Sequence, residues 1–380
     1  MKKAFALFKK EMMLSVSLIA AAAGLIITPP GADFLSGIDW RTLGTLLMML
    51  CVLEGFKKEN VLRPLENLGS KLGSCVSISL FLIFGVFFTS MFVTNDVSLI
   101  IFVPLTVLLF RSGEKERYIL PVISMENIAA IRGSLLTPFG SPQNLFLYGQ
   151  AKGVSFAHFM LHMAPLSVMS AVLLVIFVFL LYRKNTKERI VFTHESEAWK
   201  KERRPQRVTY IALFVLVMIV IVTRTHLWWA ALIAVAAAIL IADRRIFLRV
   251  DYVLILTFLC FFVFSSSIAG NEKISAFLSD SVAGKEYWWA IGLSQIISNV
   301  PASIVLYPFT KNFAGLIYGA DTAGLCSLIG SLASVINYRI YVREYPGRGK
   351  DFVRVFTLVS WAFFAVVAIP GYFISKWKFF

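Results

Sequence analysis

The sequence predicts an all-α polytopic membrane protein, an inverted repeat with two re-entrant hairpins, two broken transmembrane helices and about nine full spans. Three observations carry that prediction. Hydrophobic residues make up 58% of the chain and charged ones only 16%, with a mean hydropathy of +0.76, whereas soluble domains run near half apolar and about a quarter charged. Apolar runs of about 17 to 25 residues, enough to cross a bilayer, recur along the whole chain. Finally, Ser90, Thr94, Asn95, Pro104 and Thr106 reappear 204 positions later as Ser294, Ser298, Asn299, Pro308 and Thr310.

The first run, 12–28, follows Lys2, Lys3, Lys9 and Lys10 as a signal peptide would, but no small-residue cleavage motif closes it, so it reads as an uncleaved first span. The second is 40–56. A long run, 72–110, is interrupted at Thr94-Asn95-Asp96, and the next, 118–148, is broken by Pro138, Gly140 and Pro142. Each proline removes a backbone donor, and none of the three residues continues a helix well. The run 158–182 closes the first half. A charged segment, 183–207, then leads to the runs 208–223, 227–242, 252–270, 288–310, 322–341 and 352–375.

Lys and Arg orient these spans. With a cytoplasmic N-terminus, the inside segments hold 28 of the 37 Lys and Arg residues, the outside segments hold 8, and Arg132 lies within a span. That is the positive-inside pattern, and it accounts for the formal charge of +15 without nucleic acid as a partner. Because 72–110 is flanked by basic segments on both sides, the chain returns to the side from which it entered. The second copy, 288–310, is too short for two crossings and has outer flanks, so it enters from the opposite face. The chain then divides into a first repeat half, 1–182, with hairpin 72–110 and broken helix 118–148. A cytoplasmic linker plus one extra, inverting span follows at 183–226. The second half, 227–380, has hairpin 288–310 and broken helix 322–341. The broken helices are aligned through Gly133-Ser134-Leu135 and Gly330-Ser331-Leu332, 197 positions apart. The C-terminus falls outside.

Polar residues in such segments are costly unless protein, water or a ligand bonds them. A half-helix starting at a mid-membrane tip presents unpaired N–H groups and a positive dipole end, which attract anions. The ends of other half-helices present carbonyls that, with Ser, Thr and Asn side chains, suit a dehydrated cation. The candidate substrate and ion ligands are therefore Thr94, Asn95, Asp96, Ser134, Thr137, Gly140, Ser141, Gln143 and Asn144 in the first half. In the second they are Ser298, Asn299, Gly330, Ser331 and Ser334. Residues 137–144 also read as a surface loop between two helices.

Asp96 has two readings, a helix N-cap and a carboxylate that carries a coupling proton or ligates Na+. Arg132 needs a counter-charge, and Glu126, Asp96 or a substrate anion are the available partners; a purely structural pair is the plainer alternative. His158 and His162 have the i, i+4 spacing of a metal pair but no third ligand accompanies them, so they read as interfacial. Cys51, Cys75, Cys260 and Cys326 sit in apolar segments as packing residues. No acid/base, nucleophile or metal set of an enzyme and no phosphate-binding glycine loop is visible, so no catalytic residue and no metal site is assigned.

The two tips, Thr94-Asn95-Asp96 and Ser298-Asn299-Val300, together with the Pro-x-Asn loop Ser141-Pro142-Gln143-Asn144, resemble the ion transporter superfamily. That superfamily contains the citrate transporters, the divalent anion:sodium symporters, the arsenite permeases and a class of sodium/proton antiporters. The resemblance covers nearly the whole chain. It implies an alternating-access carrier of small anions, carboxylate or oxyanion, in the cytoplasmic (inner) membrane. Na+ or H+ would be the coupling ion, with no other cofactor; membrane lipid would be a partner, and a homodimer is among the assemblies it allows. A cation/proton antiporter or an arsenite-type efflux permease is the alternative. Sodium-coupled dicarboxylate members carry Ser-Asn-Thr at both tips, where this chain has Asp96 and Val300 at the third positions.

Overall fold

The computed structural model describes residues 12–29, 34–59, 61, 72–184, 190 and 205–377. Lys2 to Lys10 and most of the linker, 185–189 and 191–204, lie outside the described residues. Among the described residues every regular element is helical. Helix α1, Met12–Ile27, packs along α10, Tyr252–Ala269, so the first apolar run joins an element from the far half of the chain. Helix α2, Trp40–Lys58, is started by Asp39, whose carboxylate accepts from Thr42 N (3.0 Å) and Thr42 Oγ1 (2.6 Å).

The hairpin of the first half is α3, Cys75–Val93, and α4, Asn95–Ser112, with Thr94 alone between them. The broken helix is α5, Ile119–Ser134, and α6, Pro142–Gln150. Pro142 stands at the first position of α6, where its missing N–H costs no hydrogen bond. Helix α7, Phe156–Leu181, completes the half. Then come α8, Pro205–Thr223, and α9, Trp228–Asp243, both against α2.

After α10, a short helix α11, Glu272–Val282, capped by Asn271, occupies a stretch that the hydropathy pattern predicts as a connection. The second hairpin is α12, Glu286–Ile297, and α13, Asn299–Leu306, with Ser298 alone between them. Its broken helix is α14, Phe313–Ala323, and α15, Leu332–Glu344, and α16, Gly349–Ile374, ends the fold. The break therefore belongs to a segment beginning at 313 rather than 322. Asn312 starts it, accepting from Gly315 N at 2.9 Å, and Glu286 accepts from the Lys311 and Asn312 amides at 3.2 Å each.

Six described helices are long and apolar enough to cross a membrane: Cys75–Val93, Asn95–Ser112, Phe156–Leu181, Gln206–Thr223, Tyr252–Ala269 and Gly349–Ile374. Both arms of the first hairpin thus have the length of a span, whereas those of the second hairpin, 12 and 8 residues, do not. Large apolar side chains such as Leu161, Val168, Ile241, Leu358 and Ile369 are exposed on the outward faces. In water this would be an aggregation surface; in hydrocarbon it is the expected exterior.

Candidate functional site

Each hairpin turns on a single residue with strained backbone. Thr94 has φ 71° and ψ 153°, and Ser298 has φ 69° and ψ 159°. That combination belongs to glycine, and holding another residue there costs about 1–3 kcal/mol, which the surroundings must supply. They do so identically. The amide of Asn95 donates to Gly140 O and that of Asn299 to Gly330 O, both at 3.2 Å.

Two further contacts repeat in the same register. Thr137 Oγ1 donates to Met91 O in the first half, and Ser327 Oγ donates to Gln295 Oε1 at 2.7 Å in the second. Asn144 Nδ2 donates to Ser134 O at 3.1 Å, and Ser334 Oγ to Gly324 O at 3.4 Å. The hairpins are thus 204 positions apart, but the broken helices are 190 apart, not 197. Gly330-Ser331 matches Gly140-Ser141, and Ser134 matches Gly324. The caps agree: Ser141 (φ −147°, ψ 151°) and Ser331 (φ −150°, ψ 140°) both precede the second arm in extended backbone. Gly140 and Gly330 are required by close approach, since a Cβ would stand 2.5 Å from Ser134 O and 2.2 Å from Ala323 O respectively.

Two half-sites result. The first gathers Thr94, Asn95, Ser134, Thr137, Gly140, Ser141 and Asn144, and the second Ser298, Asn299, Gly330, Ser331 and Ser334. In the first, Ser141 Oγ and Asn144 Oδ1 are buried without a partner among the described residues, where Asn95 Oδ1 accepts only from Asp96 N. In the second, the Asn299 side chain makes no protein hydrogen bond among the described residues, although only 2% of the residue is exposed. Unpartnered acceptor oxygens beside helix ends are the groups a cation or a hydrogen-bonding ligand would occupy. Gln143 is buried but bonds to neither half-site. Asp96 is not the cap of α4: Thr94 holds that position without a side-chain bond, and Asp96 is in the first turn with Oδ1 buried and unpartnered among the described residues.

A family model of citrate transporters matches residues 4–330. The chain belongs to the citrate transporter family. It is 30% identical over 333 residues to inner membrane protein YbiR of Escherichia coli, covering 85% of this chain and 86% of that one. It is 31% identical over 312 residues to the uncharacterized transporter MJ0456 of Methanocaldococcus jannaschii, covering 80% and 81%. Among solved structures, the YdaH transporter of Alcanivorax borkumensis, described as having an unusual topology, shares the fold. Its TM-score is 0.53 at 13% identity, over 90% of this chain and 87% of that one. The protein is therefore a multi-pass membrane transporter.

Within this citrate transporter family member, Arg132 pairs with Asp321, not with Glu126 or Asp96. The guanidinium and the carboxylate are 0% and 1% exposed. Arg132 Nη2 also donates to Thr322 Oγ1 at 3.3 Å, and Ser167 Oγ donates to Arg132 O at 3.0 Å. Asp321 is absent from the partners expected of Arg132 because it lies 189 positions away; its one signal is an acid inside the apolar stretch 313–326. The pair sits where the two broken helices meet, and Asn127 Nδ2 joins them again at Ser334 Oγ, 3.0 Å away. Glu126 instead meets Thr106 Oγ1 at 2.5 Å. His162 is buried against the Tyr318 ring, at 5.7 Å between centroids, rather than interfacial. A cavity of about 190 Å³ beside the second tip runs from Ser298 and Val300, past Leu332 and Ile336, to Asp251 and Arg339.

Proposed function

We propose that the chain is a secondary active transporter of small anions, carboxylate or oxyanion, driven by Na+ or H+ through alternating access across the cytoplasmic membrane. The observation that carries this reading is the pair of strained tips, Thr94 and Ser298, each tied to a glycine of its own broken helix. A helix N-terminus at each tip favours an anion, and the buried acceptors around it favour a cation, so both can be held together. The excess of Lys and Arg favours an N-terminus in the cytoplasm and a C-terminus outside, with the first hairpin entering from within and the second from without. The cavity between Ser298 and the exposed guanidinium of Arg339 gives a small anion a path from the cytoplasmic side. The inner-membrane name of the Escherichia coli relative agrees with that location.

Proteoliposomes holding the purified protein should take up radiolabelled citrate, or a competing carboxylate or oxyanion, in response to an imposed Na+ or H+ gradient. Cation exchange without any anion flux across a panel of carboxylates and oxyanions would favour the antiporter instead. Asp96→Asn is expected to shift the cation dependence of uptake severalfold, because it removes the one charge in the first turn of α4. Unchanged Na+ and pH dependence would leave Asp96 as a partner of the helix dipole alone.

A further inference from the structure

Glu126 belongs to neither half-site, yet it is wholly buried, with 0% exposure, and forms no ion pair among the described residues. One carboxyl oxygen meets Thr106 Oγ1 at 2.5 Å and the other, Oε2, has no partner among the described residues. Its surroundings make this unusual. The elements packed against α5 are α3, α4, α7, α15, α16 and the turn Glu116–Tyr118. Their titratable groups are Cys75 on α3, Asp96 and Arg111 on α4, His158 and His162 on α7, and Glu116, Arg117 and Tyr118 in the turn. Helix α15 brings Tyr338, Arg339, Tyr341, Arg343 and Glu344, and α16 brings Lys350, Asp351, Arg354 and Tyr372. None of these bonds to Glu126, and the nearest cation along its own helix, Arg132, is engaged by Asp321.

The repeat register supplies an independent reason. Shifted by 190 positions, Glu126 corresponds to Leu316 and Asn127 to Ile317, and Asn337 corresponds to Leu147. The fold is therefore satisfied by apolar groups at the equivalent place, and the polar set is peculiar to one side. That set lies where the second half packs on the first: Asn127 Nδ2 donates to Ser334 Oγ at 3.0 Å and Asn337 Nδ2 to Ile123 O at 3.0 Å, on either side of Glu126. The carbonyl oxygens of both amides are buried and unpartnered among the described residues. An unpaired carboxylate at that depth costs several kcal/mol, whereas the neutral acid leaves no charge behind.

We infer that Glu126 is a proton-binding site of the transporter, distinct from the tips, holding an exchangeable proton at the junction of α4, α5 and α15. A proton from water forms an O–H bond with the carboxylate, and the same bond breaks when the junction opens to water. A coupling role rests on the transport reading above; the proton site itself does not.

The test is infrared spectroscopy of the purified full chain in lipid nanodiscs, titrated with pH in H2O and D2O. The wild type should show the carbonyl stretch of a protonated carboxylic acid at neutral pH. That band should shift in D2O and fade reversibly as pH rises, be missing in Glu126→Gln, and persist in Asp96→Asn. Thr106→Val keeps the acid but removes its hydrogen bond, so it should move the band to higher frequency even if Glu126→Gln fails to fold. No such band in the wild type, a band unaltered by Glu126→Gln and Thr106→Val, or one that never titrates or exchanges before unfolding would each overturn the site. Absence of citrate uptake would count against the transport reading, while the proton site would still stand or fall by the infrared band alone.

Discussion

Asp321→Asn is expected to destabilise the folded protein by about 3–5 kcal/mol, because it leaves the Arg132 guanidinium buried and charged with no counter-ion. The pair ties the two broken helices together, and Arg132 Nε has no partner among the described residues to compensate. Arg132→Met should be comparably harmful, since it strands Asp321 instead. The double variant Arg132→Met/Asp321→Leu removes both charges together and should recover most of the loss, because a buried ion pair is often replaceable by apolar groups of similar volume. Thermal unfolding in detergent, followed by the monodisperse fraction on size exclusion, reads all three. If the single variants unfold at the wild-type temperature, Arg132 is not dependent on Asp321. Near-additive losses in the double variant would have the same meaning, since contacting residues should couple strongly.

What the sequence makes legible, and what it hides, follows from how local each signal is. The tips are legible because a Ser/Thr-Asn pair within apolar chain has no inexpensive structural explanation, and its recurrence after 204 positions removes chance. The break at 135–141 is legible from Gly and Pro, and that at 324–331 only from Gly330-Ser331 at its end. The register between them is not. The shared Gly-Ser-Leu string aligns Ser134 with Ser331, whereas the fold matches residues by the atoms they bring to the tip: a carbonyl from Gly140 or Gly330, a hydroxyl from Thr137 or Ser327. Ser327 and Gln295 escape notice for that reason. Asp321, Asn127 and Asn337 escape it because their partners lie 189, 207 and 214 positions away, and no periodicity encodes such a contact. The strain at Thr94 and Ser298 is likewise invisible in residue type, since neither is a residue that favours positive φ.

Asn95→Ala and Asn299→Ala should each cut transport about ten- to a hundredfold, the effect of losing one good bond to a charged or strongly polar ligand. Their effects on stability should differ, and that difference is diagnostic. Asn95 Oδ1 accepts from Asp96 N at 2.9 Å, so Asn95→Ala also removes a protein hydrogen bond and should cost about 1 kcal/mol. The Asn299 side-chain amide bonds to no described protein group, so Asn299→Ala should insert and unfold like the wild type while failing to transport. Uptake of the transported anion by proteoliposomes with matched amounts of each variant, beside their unfolding temperatures, separates the two effects. In both variants the backbone bonds to Gly140 and Gly330 survive, because they come from the main chain, and the strained turns at Thr94 and Ser298 stay in place. A loss of transport then reports on the side-chain amides rather than on the tips' geometry. Normal uptake in both variants would mean that the repeated asparagines shape the hairpins only, and the binding site would have to be sought along the cavity from Ser298 to Arg339.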